Sequence, residues 1–265
     1  MSVRKEKKTQ KVLNLDIMNK KKLVVLSGAG LDKESGIETF RSGENSTWNN
    51  YKVEEVATKD AWRKNKELVL DFYNKRRSQL KDVEPNEAHY SLVSLEKYYD
   101  VTHITQNVSD LLERAGSNKV LHLHGELTKV RSSLDETLVY DWHEDCNIGD
   151  KCEKGSQLRP HIVWFGEMVP KLSEAADLVY DADILIIVGT SFTVYPAASL
   201  MEHSKGDTKI YIVDPMERPL YGFIDSTYVD GVGTFGRFTH YRLPATVGMK
   251  MLEDKLKSEL YVEEK

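Results

Sequence analysis

The chain has 265 residues, of which 40% are hydrophobic and 30% are charged, and its formal net charge is −5. This length suffices for one α/β domain, or one domain with a small insertion, and the composition is that of an ordinary soluble globular protein. The weakly negative charge argues against a general attraction to nucleic acid or to an anionic membrane. The longest apolar runs, such as residues 184–188, are far shorter than the roughly 20 residues that a membrane-spanning helix needs.

Residues 1–21 are rich in Lys and Asn and show little apolar periodicity, so we expect a flexible leader there. No apolar segment follows their basic residues, as a secretory signal would require. Cys146 and Cys152 are the only cysteines, which is too few for a disulfide scaffold. A cytoplasmic location is therefore expected, and the oligomeric state stays open.

From residue 22 onward, short apolar strands alternate with helical patterns. The predicted strands are residues 23–27, 101–105, 120–122, 184–188 and 210–213. The predicted helices are residues 61–80, 87–98, 173–180 and 246–260. This alternation is typical of an α/β fold, in which helices cover both faces of a Rossmann-like parallel sheet.

One segment, residues 128–157, interrupts the alternation. Residues 128–133 and 138–140 can pair as a hairpin, and residues 147–150 have the composition of a turn. We therefore expect one domain over residues 22–265 that carries a small inserted subdomain at about 128–157. A second acidic, tyrosine-bearing loop is expected at residues 221–237.

The first motif with chemical content follows the first strand, where an apolar run ends at Gly28, Ala29 and Gly30. The two glycines permit a tight turn and a close approach to a pyrophosphate, and the N-terminus of the next helix favours an anion. The same spacing also occurs in ordinary turns. The continuation is more specific, and it comprises Ser35, Gly36, Ile37, Thr39, Phe40 and Arg41.

Polar residues also follow the later strands. Gln106 and Asn107 come directly after a strand, where they can bind ribose hydroxyls or an ordered water, or cap the strand end. His124 precedes a glycine at the end of another strand, and it is either a general base or a structural histidine. His122 lies two residues earlier and is assigned to packing.

Three further segments complete the series of candidate sites. Residues 159–167 read as a strand edge where an extended peptide can add by backbone pairing, or as a plain core strand. A buried strand ends in a second phosphate- or ribose-binding turn at Gly189, Thr190 and Ser191. Asp214 lies at a strand tip, where it suits adenosine ribose hydroxyls or caps the next turn.

Taken together and in this order, these motifs resemble those of the sirtuins, the NAD-dependent protein deacylases. The resemblance covers about residues 23–260. The motifs that carry it are Gly28-Ala29-Gly30, Ser35-Gly36-Ile37, Phe40-Arg41, Thr105-Gln106-Asn107, His124-Gly125, Trp164-Phe165-Gly166-Glu167 and Gly189-Thr190-Ser191.

The resemblance implies that NAD lies across the strand ends and that an acylated lysine of a protein lies between the main domain and the insertion. The acyl oxygen attacks the ribose carbon and expels nicotinamide. His124 then deprotonates a ribose hydroxyl, which yields O-acyl-ADP-ribose and free lysine. By this resemblance the NAD-binding residues are Gly28, Ala29, Gly30, Thr39, Phe40, Arg41, Gln106, Asn107, Ser109, Gly189, Thr190, Ser191 and Asp214. Those holding the peptide backbone are Trp164, Phe165, Gly166 and Glu167.

The acyl preference is suggested by Tyr73 and Arg76, which lie three residues apart on one face of the predicted helix. They resemble the Tyr-x-x-Arg pair of sirtuins that remove succinyl and malonyl groups. A guanidinium grips a carboxylate in a bidentate manner, and a phenol adds one hydrogen bond. The alternative is a basic helix surface, since Lys75 and Arg77 are adjacent.

The insertion departs from the family pattern. Sirtuins usually hold a structural zinc with two C-x-x-C pairs, which supply the four ligands that zinc needs. Here only Cys146 and Cys152 remain, and Ser132-Ser133 stands near the start of the expected first pair. His143 is a poor substitute ligand, so we expect an insertion without zinc.

The expected nicotinamide pocket is also altered. Asp32 replaces a usual Ser and Ser109 replaces a usual Asp, while Leu112 replaces a common His and Asp214 a usual Asn. The exchange either keeps one carboxylate in the pocket or reflects drift toward weaker deacylation.

The competing functions are an NAD glycohydrolase or ADP-ribosyltransferase, and a non-catalytic sensor of NAD or ADP-ribose. His124 favours deacylation, and residues 164–167 favour a peptide substrate.

Overall fold

The computed structural model describes residues 20–37, 51–190, 197–216 and 228–263. The strands are β1 (Lys22–Ser27), β2 (Asp100–Thr105), β3 (Val120–His122), β4 (Gly125–Ser132), β5 (Val139–Asp141), β6 (Leu158–Ile162), β7 (Ile184–Val188), β8 (Lys209–Val213), β9 (Val232–Phe235) and β10 (Phe238–Tyr241). The α-helices are α1 (Ala29–Lys33), α2 (Val53–Val56), α3 (Lys59–Lys64), α4 (Lys66–Lys81), α5 (Glu87–Ser94), α6 (Leu111–Arg114), α7 (Leu172–Asp181) and α8 (Ala245–Glu263). Two 3₁₀ turns occupy Leu95–Lys97 and Ala197–His203.

The larger sheet has seven strands in the order β3-β2-β1-β7-β8-β10-β9, and all neighbours are parallel except the β9–β10 pair. All five predicted strands occur in it, so the predicted parallel α/β sheet is confirmed. Ser27 at the end of β1 lies level with Thr105 of β2 and Val188 of β7. The carboxyl ends of the central strands therefore meet at one edge, where ligands bind in open α/β sheets.

Helices cover both faces of this sheet because β1 and β7 are apolar on both sides. Leu23 and Val25 face a core with α5 and α8, whereas Val24 and Leu26 face a core with α7. Alternate residues of a strand point to opposite faces, and burial of both sets requires a layer on each side. The predicted helices at 173–180 and 246–260 are confirmed as α7 and α8.

The helix predicted at residues 61–80 is wrong as one element, because it is interrupted at Asn65. The backbone of Asn65 leaves the helical region at φ −150° and ψ 82°, and its side chain accepts a hydrogen bond from the Leu68 N–H at 3.0 Å. Thr58 caps α3 in the same way through Ala61. Asparagine competes with helix continuation by capping a new helix, which explains the break. The helix predicted at 87–98 also ends earlier, with α5 stopping at Ser94 before a 3₁₀ turn.

The smaller sheet is antiparallel, and β4 lies between β5 and β6. The hairpin predicted from residues 128–133 and 138–140 is confirmed by the β4–β5 pairing, and the turn at 147–150 is closed by the Asp150 N–H and the Asn147 carbonyl. This sheet and helices α3 and α4 share a third core that includes Trp62, Phe72 and Trp164. The buried Arg77 joins α4 to β4 by donating to the Leu127 carbonyl at 2.7 Å.

The pair β9 and β10 is absent from the sequence-based assignment, which placed residues 221–237 in a loop. Residues 232–235 form a strand instead, and β10 adds to β8 in parallel. Each strand has four residues, which is too short for a period-two pattern to be recognised. Among the described residues, no helix combines the length and apolar character that spanning a membrane requires.

Candidate functional site

Two glycine turns lie side by side at the carboxyl edge of the larger sheet. The Gly28 N–H donates to the Val188 carbonyl at 3.0 Å, and the Gly30 N–H donates to the Gly189 carbonyl at 2.8 Å. A Cβ on Gly30 would lie 2.6 Å from the Gly189 Cα, and one on Gly189 (φ +62°) would lie 2.3 Å from the Leu31 nitrogen. Both positions therefore require glycine, since any side chain would force the two turns apart. Ala29 opens helix α1 directly behind them.

The amides that follow β2 hold these turns. The Asn107 Nδ2 donates to the Gly28 carbonyl at 3.0 Å, and the Gln106 Nε2 donates to the Thr190 Oγ1 at 3.1 Å. Both side chains remain half-buried at the edge. The structure thus shows the strand-end contacts that the sequence left as one alternative, and it places both amides beside the two turns.

His124 lies at the same edge with a defined tautomer. Its Nδ1 lies 3.1 Å from the Gln106 carbonyl, which can only accept, so Nδ1 carries the proton and Nε2 retains a lone pair. Burial lowers the pKa of His124 below its usual value, and the hydrogen bond to Gln106 only partly opposes this shift. A neutral imidazole with an unprotonated Nε2 is the form that accepts a proton in general-base catalysis.

His122 contributes to the structure differently. It is buried, its Nε2 lies 2.7 Å from Glu113, and its Nδ1 lies 3.1 Å from the Asn107 carbonyl. Both ring nitrogens are therefore used inside the protein. His122 supports the loop that carries Asn107.

Asp32 and Ser109, which are exchanged relative to the family pattern, are in direct contact. The Ser109 hydroxyl donates to one Asp32 carboxylate oxygen at 2.6 Å, and the His89 Nε2 lies 3.2 Å from the other. The His89 Nδ1 accepts from the Asn86 N–H at 3.2 Å, which assigns the proton to Nε2 and makes the contact with Asp32 a donated hydrogen bond. Asp32 is only 4% exposed, so its carboxylate is held by two donors in a buried cluster.

Sequence reasoning missed His89, although a signal was present. The run Asn86-Glu87-Ala88-His89 has the spacing of a capping box, and both of its reciprocal hydrogen bonds are formed at the start of α5. The amide of Asn86 also donates to the Leu31 carbonyl and to Ser35. This helix start therefore supports the segment that carries Asp32.

Tyr73 and Arg76 lie one turn apart on α4, above the smaller sheet. Tyr73 is buried, and its Oη lies 3.1 Å from the indole Nε1 of Trp164. Burial raises the pKa of Tyr73 to about 12, although the nearby Arg76 opposes this rise. The Arg76 guanidinium lies 5.6 Å from the centroid of the Phe72 ring and is half-buried.

In the segment 164–167, the side chains of Trp164 and Glu167 are buried and that of Phe165 is exposed. Trp164 is 2% exposed and faces Tyr73, whereas Phe165 is 48% exposed and its N–H donates to the Ala57 carbonyl at 3.0 Å. Gly166 occupies a turn with φ +84°. The Glu167 carboxylate turns inward and lies 3.0 Å from Arg159. Burial disfavours ionisation of Glu167, but the hydrogen bond and charge of Arg159, the Trp164 backbone N–H and the charge of Arg131 together lower its pKa.

Asp214 directly follows β8 and is half-buried. Its Oδ1 accepts from the Met216 N–H at 2.9 Å, which is the turn-capping contact that the sequence left as an alternative. Burial raises the pKa of Asp214. Thr39, Phe40, Arg41 and Ser191, which the family resemblance assigns to the NAD site, lie outside the described residues.

The two cysteines lie between β5 and β6, and they have separate partners. The Cys146 Sγ lies 3.8 Å from the Leu158 carbonyl, and the Cys152 Sγ lies 3.2 Å from the Ser156 hydroxyl. The Ser156 hydroxyl also contacts Ser132 at 2.6 Å. His143 is exposed, and no group of three His, Cys, Asp or Glu side chains that could hold a metal occurs in the part of the chain that the structure describes.

Comparison with known proteins identifies relatives over most of this length. A model described as the Sir2 family matches residues 28–196. The chain is 57% identical over 195 residues to an NAD-dependent protein deacylase of Helicobacter pylori (strain ATCC 700392 / 26695), which covers 74% of this chain and 85% of that relative. It is 50% identical over 200 residues to an NAD-dependent protein deacylase of Aggregatibacter actinomycetemcomitans, covering 76% and 95%.

Solved structures agree with these relatives. A complex of a Sir2 homologue with NAD superposes with a TM-score of 0.77 at 37% identity, covering 95% of this chain and 94% of that chain. A complex of Sir2 with a p53 peptide and NAD⁺ superposes with a TM-score of 0.68 at 28% identity, covering 94% and 97%.

Proposed function

The chain belongs to the Sir2 family, the sirtuins, and on that premise we propose that it is an NAD-dependent protein deacylase that acts on acylated lysine side chains and prefers acidic acyl groups. NAD is consumed in such a reaction, so it is a substrate. The observation that carries the proposal is the His124 tautomer at the edge that bears both glycine turns. Its unprotonated Nε2 supports the role of general base toward a ribose hydroxyl.

The groups at this edge suit a dinucleotide. The glycines of the two turns have no side chain and so leave room for a pyrophosphate, whereas the side-chain amides of Gln106 and Asn107 and the carboxylate of Asp214 fit ribose hydroxyls. We propose that Asn107 and Gln106 position the nicotinamide ribose, because their own amide donors fix them to Gly28 and Thr190. Thr39, Phe40, Arg41 and Ser191 complete the proposed NAD site by their place in the motifs.

The acidic-acyl preference is supported by Tyr73 and Arg76. A guanidinium and a neutral phenol provide hydrogen-bond donors that match the carboxylate of a succinyl or malonyl group. The raised pKa of Tyr73 keeps the phenol protonated throughout the neutral range. We also propose that residues 164–167 hold the peptide, with the exposed Phe165 on its outer side.

We also propose that the insertion at about residues 128–157 holds no metal. Ser132, Cys152 and Ser156 connect the end of β4 to the loop before β6, which are contacts that stabilise the segment without a metal. Neither cysteine forms a disulfide. Two unpaired thiols support a reducing compartment, and we propose the cytoplasm.

The test is to incubate the purified protein and NAD with acetyl-, succinyl- and malonyl-lysine peptides while following peptide mass and nicotinamide. Faster loss of the succinyl and malonyl groups than of acetyl supports the proposal. Nicotinamide release with no change in peptide mass would instead indicate an NAD glycohydrolase or an ADP-ribosyltransferase. Binding of NAD without nicotinamide release would indicate a sensor.

The variant Arg76→Met tests the acyl preference directly. Loss of a charge-assisted carboxylate contact should raise the barrier by roughly 2–3 kcal/mol, or about 30- to 150-fold in kcat/KM for succinyl- and malonyl-lysine. Turnover of acetyl-lysine should stay equal or improve. The matched control is Arg63→Met, since the Arg63 side chain is 76% exposed on α3. Equal losses for all three acyl groups would make Arg76 structural.

A further inference from the structure

The hydrogen bond between Trp164 and Tyr73 has a fixed direction. The indole Nε1–H can only donate, so the Tyr73 oxygen, 3.1 Å away, must accept. Both residues are buried, at 2% and 3% exposure, and 91 positions separate them in sequence. The bond therefore joins the segment after β6 to helix α4 inside the third core.

This direction leaves the hydroxyl hydrogen of Tyr73 to be donated elsewhere. A phenol has one hydrogen to donate, and the bond from Trp164 uses only an oxygen lone pair. Among the residues that the structure describes, Trp164 is the hydrogen-bond partner of Tyr73. Arg76 is close enough to act on Tyr73 electrostatically, and it too can only donate. A group placed against both side chains must accept, as a carboxylate does.

Buried charges hold the indole in place. The Arg159 guanidinium stacks 3.2 Å from the centroid of the Trp164 ring, and the backbone N–H of Trp164 donates to Glu167 at 2.8 Å. Glu167 in turn lies 3.0 Å from Arg159 and 3.4 Å from Arg131, and all three charged side chains are 6% exposed. A buried charge cluster is costly for stability unless its geometry is good, and it fixes the orientation of what it contacts.

We propose that Trp164 is a positioning residue for acyl selection: its indole N–H turns the Tyr73 hydroxyl so that this group, together with Arg76, presents donors to an acidic acyl chain. The inference rests on the proposed acidic-acyl preference and assigns its cause to a residue outside the Tyr-x-x-Arg pair. Trp164 acts through Tyr73, whereas its backbone N–H donates to Glu167 and the Phe165 N–H donates to the Ala57 carbonyl.

The test compares Trp164→Phe, Tyr73→Phe and the double variant with succinyl- and acetyl-lysine peptides. Loss of the indole N–H should raise KM for succinyl-lysine by about 3- to 10-fold, the value of one hydrogen bond, and it should raise KM for acetyl-lysine less. In the Tyr73→Phe background, Trp164→Phe should leave the ratio of succinyl to acetyl kcat/KM unchanged. Trp62→Phe is the matched control, because its ring packs 5.8 Å from Trp164 without bonding to Tyr73.

Two results would overturn the inference. One is an equal loss for both peptides in Trp164→Phe, and the other is a full additional change of the ratio in the Tyr73→Phe background. If Trp164→Phe does not fold, site-specific benzothienylalanine at position 164 keeps the shape of the indole and removes only its N–H. The wild-type protein separates this inference from the proposed function, since a wild type without succinyl turnover contradicts the function itself.

Discussion

At the scale of single residues, the contact between Asp32 and Ser109 bears most directly on activity. Their 2.6 Å hydrogen bond shows that the exchanged side chains share one buried cluster. One carboxylate therefore remains beside a hydroxyl, but the carboxylate, Asp32, is on α1 and the hydroxyl, Ser109, is in the loop after β2. The contact supports the hypothesis that the exchange conserves the chemistry of the pocket, and it makes a strong coupling between the two positions testable.

A double-mutant cycle on nicotinamide release tests this exchange. Asp32→Ser alone should impair release, whereas Asp32→Ser with Ser109→Asp should restore it, with a coupling above about 1 kcal/mol. Ser109→Asp alone should also impair the protein, because it places two carboxylates in contact. Independent drift at the two positions gives the opposite pattern: a gain for Ser109→Asp alone and a coupling below about 0.5 kcal/mol.

His124 gives a prediction for catalysis and for its pH dependence. His124→Ala should reduce deacylation by about 10²- to 10⁴-fold while NAD affinity stays within about tenfold, because a general base acts mainly in the transition state. Since burial lowers the pKa of His124, the neutral form persists to lower pH. The acid side of the pH profile of kcat/KM should therefore have its midpoint below pH 6.5. His143→Ala, an exposed histidine, is the control. If the remaining activity of His124→Ala shows the same midpoint on the acid side as the wild type, another group is responsible for the titration.

At the scale of elements, α8 is tied to α5 by a buried carboxylate. Glu253 is 5% exposed and accepts from Ser91 at 2.8 Å and from Ser94 and Lys257. Burial opposes its ionisation, yet the hydrogen bonds from Lys257, Ser94 and Ser91 lower its pKa to about 2. Donors from both helices, Ser91 and Ser94 on α5 and Lys257 on α8, therefore bind one carboxylate and hold the two helices together.

This tie predicts a pH-dependent stability. A pKa that is lower in the folded state than the ordinary 4.5 stabilises the fold above pH 4.5, and the stabilisation is lost as pH falls from 4.5 toward 2. Glu253→Gln should therefore lower the free energy of unfolding by about 1–3 kcal/mol at pH 7, with a smaller difference at pH 3. Denaturant unfolding at both pH values measures this, with Asp254→Asn as the exposed control. A difference that does not shrink at pH 3 would mean that packing, not charge, is lost.

At the scale of the whole molecule, one core lies on each face of the larger sheet, and a third includes the smaller sheet, whose segments are also joined by polar contacts. We predict that the folded protein carries no stoichiometric zinc, because Ser132, Cys152 and Ser156 already connect the segments that a zinc would join. Lys154 and Asp135 add an ion pair of 2.6 Å across the same segments. Elemental analysis should find less than one zinc per chain, and a chelator should leave the melting temperature unchanged. One zinc per chain, lost with stability on chelation, would contradict the prediction.

Most of the larger sheet could be predicted because its signals are local. Five apolar runs of strand length lie within short windows of sequence, and two of them are followed directly by a glycine, Gly28 and Gly189, so periodicity and turn chemistry identify them. The break at Asn65 and the strands β9 and β10 were missed for a related reason. A single capping side chain or a four-residue strand carries too little local signal to outweigh its surroundings.

The sequence by itself determined the order of the motifs, and with it the family, the proposed NAD-binding edge and the candidate base His124. Only the tertiary structure decided which side chains meet across long separations: Asp32 with Ser109 over 77 positions, and Tyr73 with Trp164 over 91. It also decided that Glu167 faces two buried arginines. The physical reason is that periodicity records which face of an element is apolar, whereas hydrogen-bond direction and charge pairing depend on how separate elements pack together.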